Sequence, residues 1–293
     1  MIERIAAIVV PIFLVVLVGY LYGRRHAPDM EAANRINMDV FTPFLILSVF
    51  ASRPLELSHY GSLAVAAILV TLLPGLLAWP LGRLVGAEWK TFVPPMMFRN
   101  SGNMGLPLFL FTFGDQYMPV AVILFIVENT LHFTVGMWLL NPRTHLLAVL
   151  KNPMILAAVG GLLIAGFDIS LPDWLVRSLQ LLGDIAVPLM LFSLGVRLVK
   201  LDLSGWRIGM ISAIAAPILG LLIAWPLVLM LDLPPVQAGM LLLFGALPPA
   251  VLNYLVAERY NQQPDQVAAM VLFSNAASLV VMPLVLAWVL AGV

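Results

Sequence analysis

Two side chains of types that can bind and release protons lie four residues apart in a long apolar segment. Glu128 and His132 fall within residues 118 to 140, and this spacing places them on the same face of a helix. A carboxylic acid beside an imidazole, which titrates near neutral pH, is suited to carry a coupling proton. The same glutamate would also suit a structural ion pair with Arg99, and the sequence leaves both interpretations open.

Arg99 lies inside a second apolar segment, about 10 Å from its nearer end at a rise of 1.5 Å per residue. One interpretation makes it a counter-charge for an anionic substrate, because the guanidinium fork matches a carboxylate. The other is a snorkelling arginine, whose long side chain reaches the membrane surface. Its depth in the segment fits either role.

Asparagines accompany these charged residues in the apolar segments. A polar side chain left in hydrocarbon costs on the order of kilocalories per mole, so we expect these groups to share one wet cavity. The predicted substrate-binding residues are Arg99, Asn100, Asn103, Pro107, Asn129, Pro248, Asn253 and Asn275. The predicted proton-coupling residues are Glu128 and His132.

The composition predicts that all of these residues belong to an all-α membrane protein. Hydrophobic residues make up 62% of the 293 residues and charged residues 10%, and the mean hydropathy is +1.02. Too few charges are therefore present to cover a soluble surface. The formal net charge is zero, which gives no reason to expect a nucleic-acid partner.

The same residue counts argue against a cofactor, a metal or an enzymatic activity. The chain has no cysteine and four scattered histidines, so we expect no metal site and no cofactor. No HExxH or GxSxG sequence accompanies Glu128 and His132. We therefore do not expect an enzyme.

Windows of about 20 apolar residues predict ten spanning helices in the lipid bilayer. The connections between them are short, so we expect a single membrane domain over residues 1–293. The predicted spans are 5 to 22, 34 to 51, 61 to 82, 92 to 113, 118 to 140, 152 to 168, 177 to 196, 207 to 231, 236 to 256 and 266 to 291.

Spans four and nine are interrupted by residues that form poor helices. The break in span four is expected around Gly102 to Pro107, and the break in span nine at residues 245 to 249, which read GALPP. At membrane depth such a break persists only where it is buried in protein or lines a cavity. Two broken helices at corresponding positions are typical of a transporter's binding site, so we expect them to cross near the midplane.

The two halves of the chain match each other in order. LLAWPL at 76 to 81 matches LIAWPL at 222 to 227 with an offset of 146, and Pro107 matches Pro248 with an offset of 141. Each half has five spans, an odd number, so the second half must enter the membrane from the opposite face. We therefore predict two inverted five-helix repeats, 1–140 and 152–293.

The distribution of basic residues predicts the orientation. The connections on one side carry eleven of the fifteen lysines and arginines, the side with both termini carries three, and Arg99 is the remaining one. By the positive-inside rule the basic connections are cytoplasmic. We expect a multi-pass protein of the plasma (inner) membrane with both termini outside the cytoplasm.

Several of these stretches resemble the auxin efflux carrier family. Asn100 followed by GLP at 105 to 107 is similar to the family pattern in span four, and ALP at 246 to 248 followed by AERYN at 257 to 261 is similar to its stretch in span nine. The resemblance covers the whole chain. It implies a fold of the bile-acid-symporter or sodium-proton-antiporter type. In such a fold spans 1, 2, 6 and 7 form a scaffold that often dimerises, and spans 3 to 5 and 8 to 10 form a mobile transport domain.

Two departures from the plant members argue against auxin itself as the substrate. The plant carriers have a long hydrophilic loop between spans five and six, where this chain has a short connection at 141 to 152. They also carry an acid and base pair at the start of span three, where this chain reads SHYG at 58 to 61. We expect a different small organic anion.

The leading interpretation is a secondary transporter that moves a small organic anion, a mono- or dicarboxylate, by elevator-like alternating access. The sequence leaves open whether a proton, a sodium ion or neither is coupled to it, and the resemblance implies a homodimer through the scaffold helices. The alternative is a passive anion channel or a ligand-sensing receptor on the same fold. The absence of a nucleotide-binding motif excludes a primary pump but not a passive pore.

The predicted orientation can be tested by labelling single cysteines in this cysteine-free chain. We expect Val293→Cys to react with a membrane-impermeant thiol reagent in intact cells, because the C-terminus is outside. Asn141→Cys should react only after the cells are permeabilised. Labelling of Asn141→Cys but not of Val293→Cys in intact cells would reverse the assignment.

Overall fold

The structure, a computed structural model, describes residues 2–52, 57–142, 151–199 and 205–292. In these ranges the regular structure is helical, with no β-strand and one isolated antiparallel bridge between two residues outside the helices. The all-helical prediction is thus confirmed for the described residues. Of the charges counted for the orientation, Arg53, Arg143 and Lys200 lie outside the described ranges.

The helices are numbered in chain order. The first half contains α1 (Ile2–His26), α2 (Glu31–Ile36), α3 (Thr42–Ala51), α4 (Gly61–Leu72), α5 (Pro74–Leu84), α6 (Trp89–Met97), α7 (Leu106–Phe113), α8 (Met118–Leu131) and α9 (Met137–Leu140). The second half contains α10 (Pro153–Gly166), α11 (Asp173–Gly183), α12 (Ala186–Leu198), α13 (Trp206–Met230), α14 (Pro235–Ala246), α15 (Leu252–Arg259) and α16 (Pro264–Gly292). Short π-helical segments are Asn37–Phe41, Ser101–Gly105 and His132–Gly136.

Six helical stretches of the described chain are long and apolar enough to cross a membrane. They coincide with predicted spans one, three, five, seven, eight and ten, and are Glu3–His26, Gly61–Leu84, Asp115–Leu140, Asp173–Leu198, Trp206–Met230 and Pro264–Gly292. Predicted spans two, four, six and nine correspond to shorter or broken helices. The count of ten spans and the inversion of the two repeats therefore stay predictions.

The break in span four lies earlier than the sequence predicts. Phe98, which follows α6, has extended backbone angles, and the helix resumes with the π-helical segment Ser101–Gly105. Pro107 falls in the first turn of α7, directly after the π-helical segment, and the backbone stays helical through it. The expected break at Gly102 to Pro107 is thus corrected to residues 98–100.

The break in span nine is close to the predicted place. Helix α14 continues through Gly245 and ends at Ala246, and Leu247 has extended backbone angles. The first halves of the two broken helices thus end in the same way, α6 at Phe98 and α14 at Leu247. The sequence pairing of Pro107 with Pro248 does not match this geometry, because Pro248 lies in a break and Pro107 lies in a helix.

The most extensive packing occurs within two groups of helices. In one group α1 packs on α12 and α3 packs on α10 and α11; in the other α13 packs on α14 and α16, α5 on α6, and α4 on α8. The contact of α1 with α12 depends on glycine. A Cβ at Gly195 would lie 2.0 Å from the backbone oxygen of Val16, and one at Gly19 would lie 2.2 Å from that of Phe192. Small residues allow helix backbones in membranes to approach this closely.

Gly195→Ala should destabilise the protein because its methyl group would meet backbone rather than a flexible side chain. Overpacking of this kind costs about 1–3 kcal/mol or more, which would lower the midpoint of thermal unfolding in detergent. Gly160→Ala is the matched control, since its methyl group would meet only the end of Leu47, 3.5 Å away. Equal unfolding midpoints for the two variants would contradict the close packing of α1 on α12.

Candidate functional site

The two broken helices cross and pair through their backbones. The N–H of Asn100 donates to the carbonyl of Pro248 at 2.7 Å, and the N–H of Ala250 donates to the carbonyl of Phe98 at 2.9 Å. These two bonds form an antiparallel bridge between Arg99 and Pro249. Each break thus provides hydrogen-bond partners that the other could not find in hydrocarbon. We call residues 98–100 and 247–250 the crossover.

The carbonyl ends of the half-helices at the crossover are covered by protein side chains. The carbonyl of Phe98, after α6, also accepts from the Asn253 side-chain amide at 3.0 Å. The carbonyl of Leu247, after α14, accepts from Nη1 of Arg99 at 3.1 Å. These carbonyls carry the partial negative charge of a helix C-terminus. Donors from the protein therefore occupy the positions at which a cation would bind.

Arg99 does not snorkel to the membrane surface. Its side chain is 0% exposed, and Nη1 donates to the carbonyl of Ala216 in α13 at 2.7 Å as well as to that of Leu247. The ion pair with Glu128, which the sequence left open as an alternative, does not form, because the hydrogen-bond partners of the guanidinium among the described residues are these carbonyls. Nε and Nη2 have no hydrogen-bond partner in the described part of the chain. Arg99 therefore acts in this structure as a clamp on the crossover.

Asn275 braces the crossover from α16. Its oxygen accepts from the amide of Asn100 at 2.7 Å, and its own amide donates to the carbonyls of Pro249 at 3.0 Å and Val271 at 2.8 Å. Both asparagine side chains are buried. The amides of Asn100 and Asn275 thus hold one break to the other in addition to the backbone pairing.

Glu128 and His132 lie together on one face, as their spacing predicts. One carboxylate oxygen of Glu128, Oε2, accepts from the Ser101 hydroxyl at 2.8 Å and from the Asn129 amide at 3.1 Å. The other, Oε1, lies 3.4 Å from Nδ1 of His132. Neither of these two atoms makes an aligned hydrogen bond among the described residues. The imidazole stacks on the ring of Phe98 at a centroid distance of 4.2 Å, so the pair is attached to the crossover.

A cavity of about 90 Å³ lies beside the crossover, several times the space that one water needs. Six of the sequence-predicted residues line it, namely Arg99, Asn100, Asn103, Glu128, Asn129 and His132. The other four predicted residues do not line the cavity. Asn253 and Asn275 donate hydrogen bonds to carbonyls of the crossover. Pro248 lies within the crossover, and Pro107 lies in α7.

The N-terminal ends of two helices face this cavity. Ser101, Gly102 and Asn103 begin the helical stretch 101–113, residues 250–252 lead into α15, and both sets line the cavity. The first N–H groups of a helix have no acceptor within the helix, and they carry a partial positive charge. The cavity is therefore bordered by hydrogen-bond donors from both broken helices.

The sequence interpretation missed the opposite wall of the cavity. This wall comes from predicted spans two and seven, and its polar members are Asn34, Asn37, Thr42 and Arg197. Arg197 was counted only as a basic residue near a helix end. The sequence signal was its position at the end of span seven together with two asparagines at the start of span two, but nothing in the sequence pairs these spans with span four.

A second cavity of about 250 Å³ lies farther along the same two spans. Predicted span two lines the first cavity with residues 34–42 and the second with residues 45–52. The second cavity contains Asp115, Gln180 and Asp184. Predicted span two therefore lines the first cavity with its first half and the second cavity with its second half.

Arg99→Met should destabilise the folded protein, because the carbonyls of Ala216 and Leu247 would lose a donor. Each buried polar group left unsatisfied costs about 1–3 kcal/mol, which should appear as a lower midpoint of thermal unfolding in detergent. Arg83→Met is the control, since Arg83 is exposed and lies over the ring of Trp79 at 4.0 Å. If both variants unfold at the same temperature, Arg99 is not a clamp.

Comparison with known proteins places the chain in a family. The family model described as "Membrane transport protein" matches residues 5–149 and 144–286. An uncharacterized transporter of Methanocaldococcus jannaschii is 24% identical, over 94% of this chain and 96% of that protein. A Rhizobium meliloti protein named "Putative malonate transporter" is 23% identical, over 94% of this chain and 92% of that protein.

These matches extend over nearly the whole chain, so they apply to both broken helices and to both walls of the cavity. Members of the family are transporters and not enzymes, and a transporter implies a transported substrate and a lipid bilayer around it. The chain therefore belongs to the membrane transport protein family, the auxin efflux carrier family that its residues resemble, and is an integral multi-pass membrane protein.

Proposed function

We propose that the protein is a secondary transporter of a small organic anion, a mono- or dicarboxylate, which binds at the crossover. One observation carries this proposal: the N-terminal ends of the half-helices border the cavity, whereas the carbonyl ends are covered by Arg99 and Asn253. An anion entering the cavity meets hydrogen-bond donors with partial positive charge. The name of the Rhizobium meliloti relative, which refers to malonate, supports a carboxylate as the substrate.

Elevator-like alternating access is the proposed mechanism. Spans 1, 2, 6 and 7 would form the scaffold, and spans 3 to 5 and 8 to 10, which include the crossover, would move against them. The packing within two groups of helices supports this division. The two cavities support it as well, because both lie between the proposed scaffold spans two and seven and the proposed transport domain. Movement of the crossover along this boundary would open the site to each side in turn.

The membrane, the orientation and the oligomeric state of the transporter form part of the same proposal. We place it in the plasma (inner) membrane with both termini outside, as the count of basic residues supports. A homodimer through the scaffold helices follows from the family resemblance. Native mass spectrometry of the detergent-purified protein would distinguish this dimer from a monomer.

Protons, rather than sodium ions, are the proposed coupling ions. The carbonyl oxygens of five crossover residues already accept hydrogen bonds from the protein, namely those of Phe98, Asn100, Leu247, Pro248 and Pro249. The charged or titratable side chains that line the cavity are Arg99, Arg197, Glu128 and His132. Protonation of Glu128 would remove the negative charge that faces an incoming anion. Substrate and proton would then bind together.

The alternative functions, a passive anion channel or a ligand-sensing receptor, differ from a carrier in flux. Proteoliposomes containing the purified protein should take up labelled malonate with saturation, and unlabelled malonate inside them should accelerate that uptake by counterflow. A channel would give flux that neither saturates nor shows counterflow, and a receptor would bind malonate without flux. Either result would refute the carrier proposal.

Glu128→Gln should flatten the pH dependence of uptake while leaving substrate binding measurable. The substitution keeps the size of the side chain and permanently removes its charge, so we expect the variant to resemble the parent at low pH. The parent should lose uptake as the pH rises and Glu128 ionises. Any remaining pH dependence in the variant is assigned to His132.

Glu258→Gln is the matched control for this experiment. Glu258 is an exposed glutamate on α15 that accepts a hydrogen bond from Tyr254 at 2.8 Å, outside the cavity. This variant should keep the pH profile of the parent. A Glu128→Gln protein with an unchanged profile would refute proton coupling through this residue.

A further inference from the structure

Arg197 is the guanidinium that remains available to a ligand. It lies in the last turn of α12 and lines the cavity on the wall opposite the crossover. Its side chain is half-buried, and in the described part of the chain it has no hydrogen-bond or ion-pair partner. Arg99, in contrast, is fully buried, and its Nη1 is bonded to two carbonyls. A partly desolvated charge without a partner is costly unless a ligand pairs with it.

A second donor stands on the same wall. Asn34 lines the cavity, and its side-chain oxygen accepts from the hydroxyl of Ser193 at 2.6 Å. This bond fixes the orientation of the amide and leaves its nitrogen as a donor. The neighbouring Asn37 uses its nitrogen on the carbonyl of Ala186 at 3.4 Å. The wall formed by spans two and seven therefore presents a cation and a neutral donor, and no carboxylate of the described residues lies on it.

The cavity is bordered by donors on two sides, the helix N-termini at the crossover and Arg197 with Asn34 across from them. We propose that Arg197 and the Asn34 amide form a second anion contact, which binds one carboxylate of a small dicarboxylate while the crossover binds the other. A monocarboxylate would use only one of the two contacts. This inference rests on the proposed function and assigns the selectivity between the two carboxylate classes to a residue of the scaffold.

Glu128 also lines the cavity and would oppose a dianion when it is ionised. Binding measurements should therefore be made at the pH at which the parent binds malonate most tightly. Malonate and propionate are the suitable probes. Propionate differs from malonate only in that a methyl group replaces one of the two carboxylates. Both dissociation constants are measured by calorimetry on the purified full-length protein.

We expect Arg197→Gln to raise the dissociation constant for malonate by about tenfold or more, and to change that for propionate by less than about threefold. Arg197→Lys should fall between the parent and Arg197→Gln, since it keeps the charge but loses the planar fork. Arg207→Gln is the control, because Arg207 is exposed on α13 with its guanidinium 5.7 Å from the ring of Trp206, away from the cavity. It should leave both constants unchanged.

Two results would overturn the inference. Arg197→Gln could weaken malonate and propionate equally, which would mean that Arg197 does not recognise a second carboxylate. It could also leave malonate unaffected, which would place Arg197 outside the site. If Arg197→Gln does not fold, as judged by size-exclusion chromatography, the ratio of the two constants in Arg197→Lys decides in the same way. A folded parent that binds neither probe would instead refute the proposed function, and this inference with it.

Discussion

Backbone groups in the interior of a bilayer have no water to bind, and the centre of this protein is arranged to meet that constraint. The two breaks satisfy each other through the Asn100 to Pro248 and Ala250 to Phe98 hydrogen bonds. The side chains of Arg99, in the first break, and of Asn253, in α15, then donate to the carbonyls of Leu247 and Phe98. What remains are the N–H groups at the start of the following helices, which border the cavity. The proposed binding of an anion in the cavity would thus follow from the way in which the backbone hydrogen bonds are satisfied.

This arrangement divides the buried polar side chains into two classes. Arg99, Asn253 and Asn275 hold the crossover together, because Nη1 of Arg99 and the two side-chain amides donate to backbone carbonyls. Asn103 and Arg197 line the cavity without a hydrogen-bond partner among the described residues. A polar residue at membrane depth is therefore not in itself a substrate contact. The residues that line the cavity depend on those that hold the crossover. Without a stable crossover, the N-terminal ends of the two helices would not border the same cavity.

The sequence predicts the parts of this account that depend on local chemistry. Proline, glycine and asparagine identify the two spans that break, and a spacing of four places Glu128 beside His132. The position of a break within its span is less predictable, because Pro107 is compatible with the first turn of a helix and does not interrupt α7. The direction of the Arg99 side chain depends on Ala216 and Leu247, which lie more than a hundred residues away. Arg197 was missed because its role follows from which spans face each other.

A structure determined with malonate bound tests the central claim most directly. We expect a carboxylate of malonate in the first cavity, within hydrogen-bonding distance of the N–H groups at residues 101–103 or 251–252. Malonate bound in the cavity that contains Asp115 and Asp184, or a cation bound at the carbonyls of Phe98 and Leu247, would contradict it.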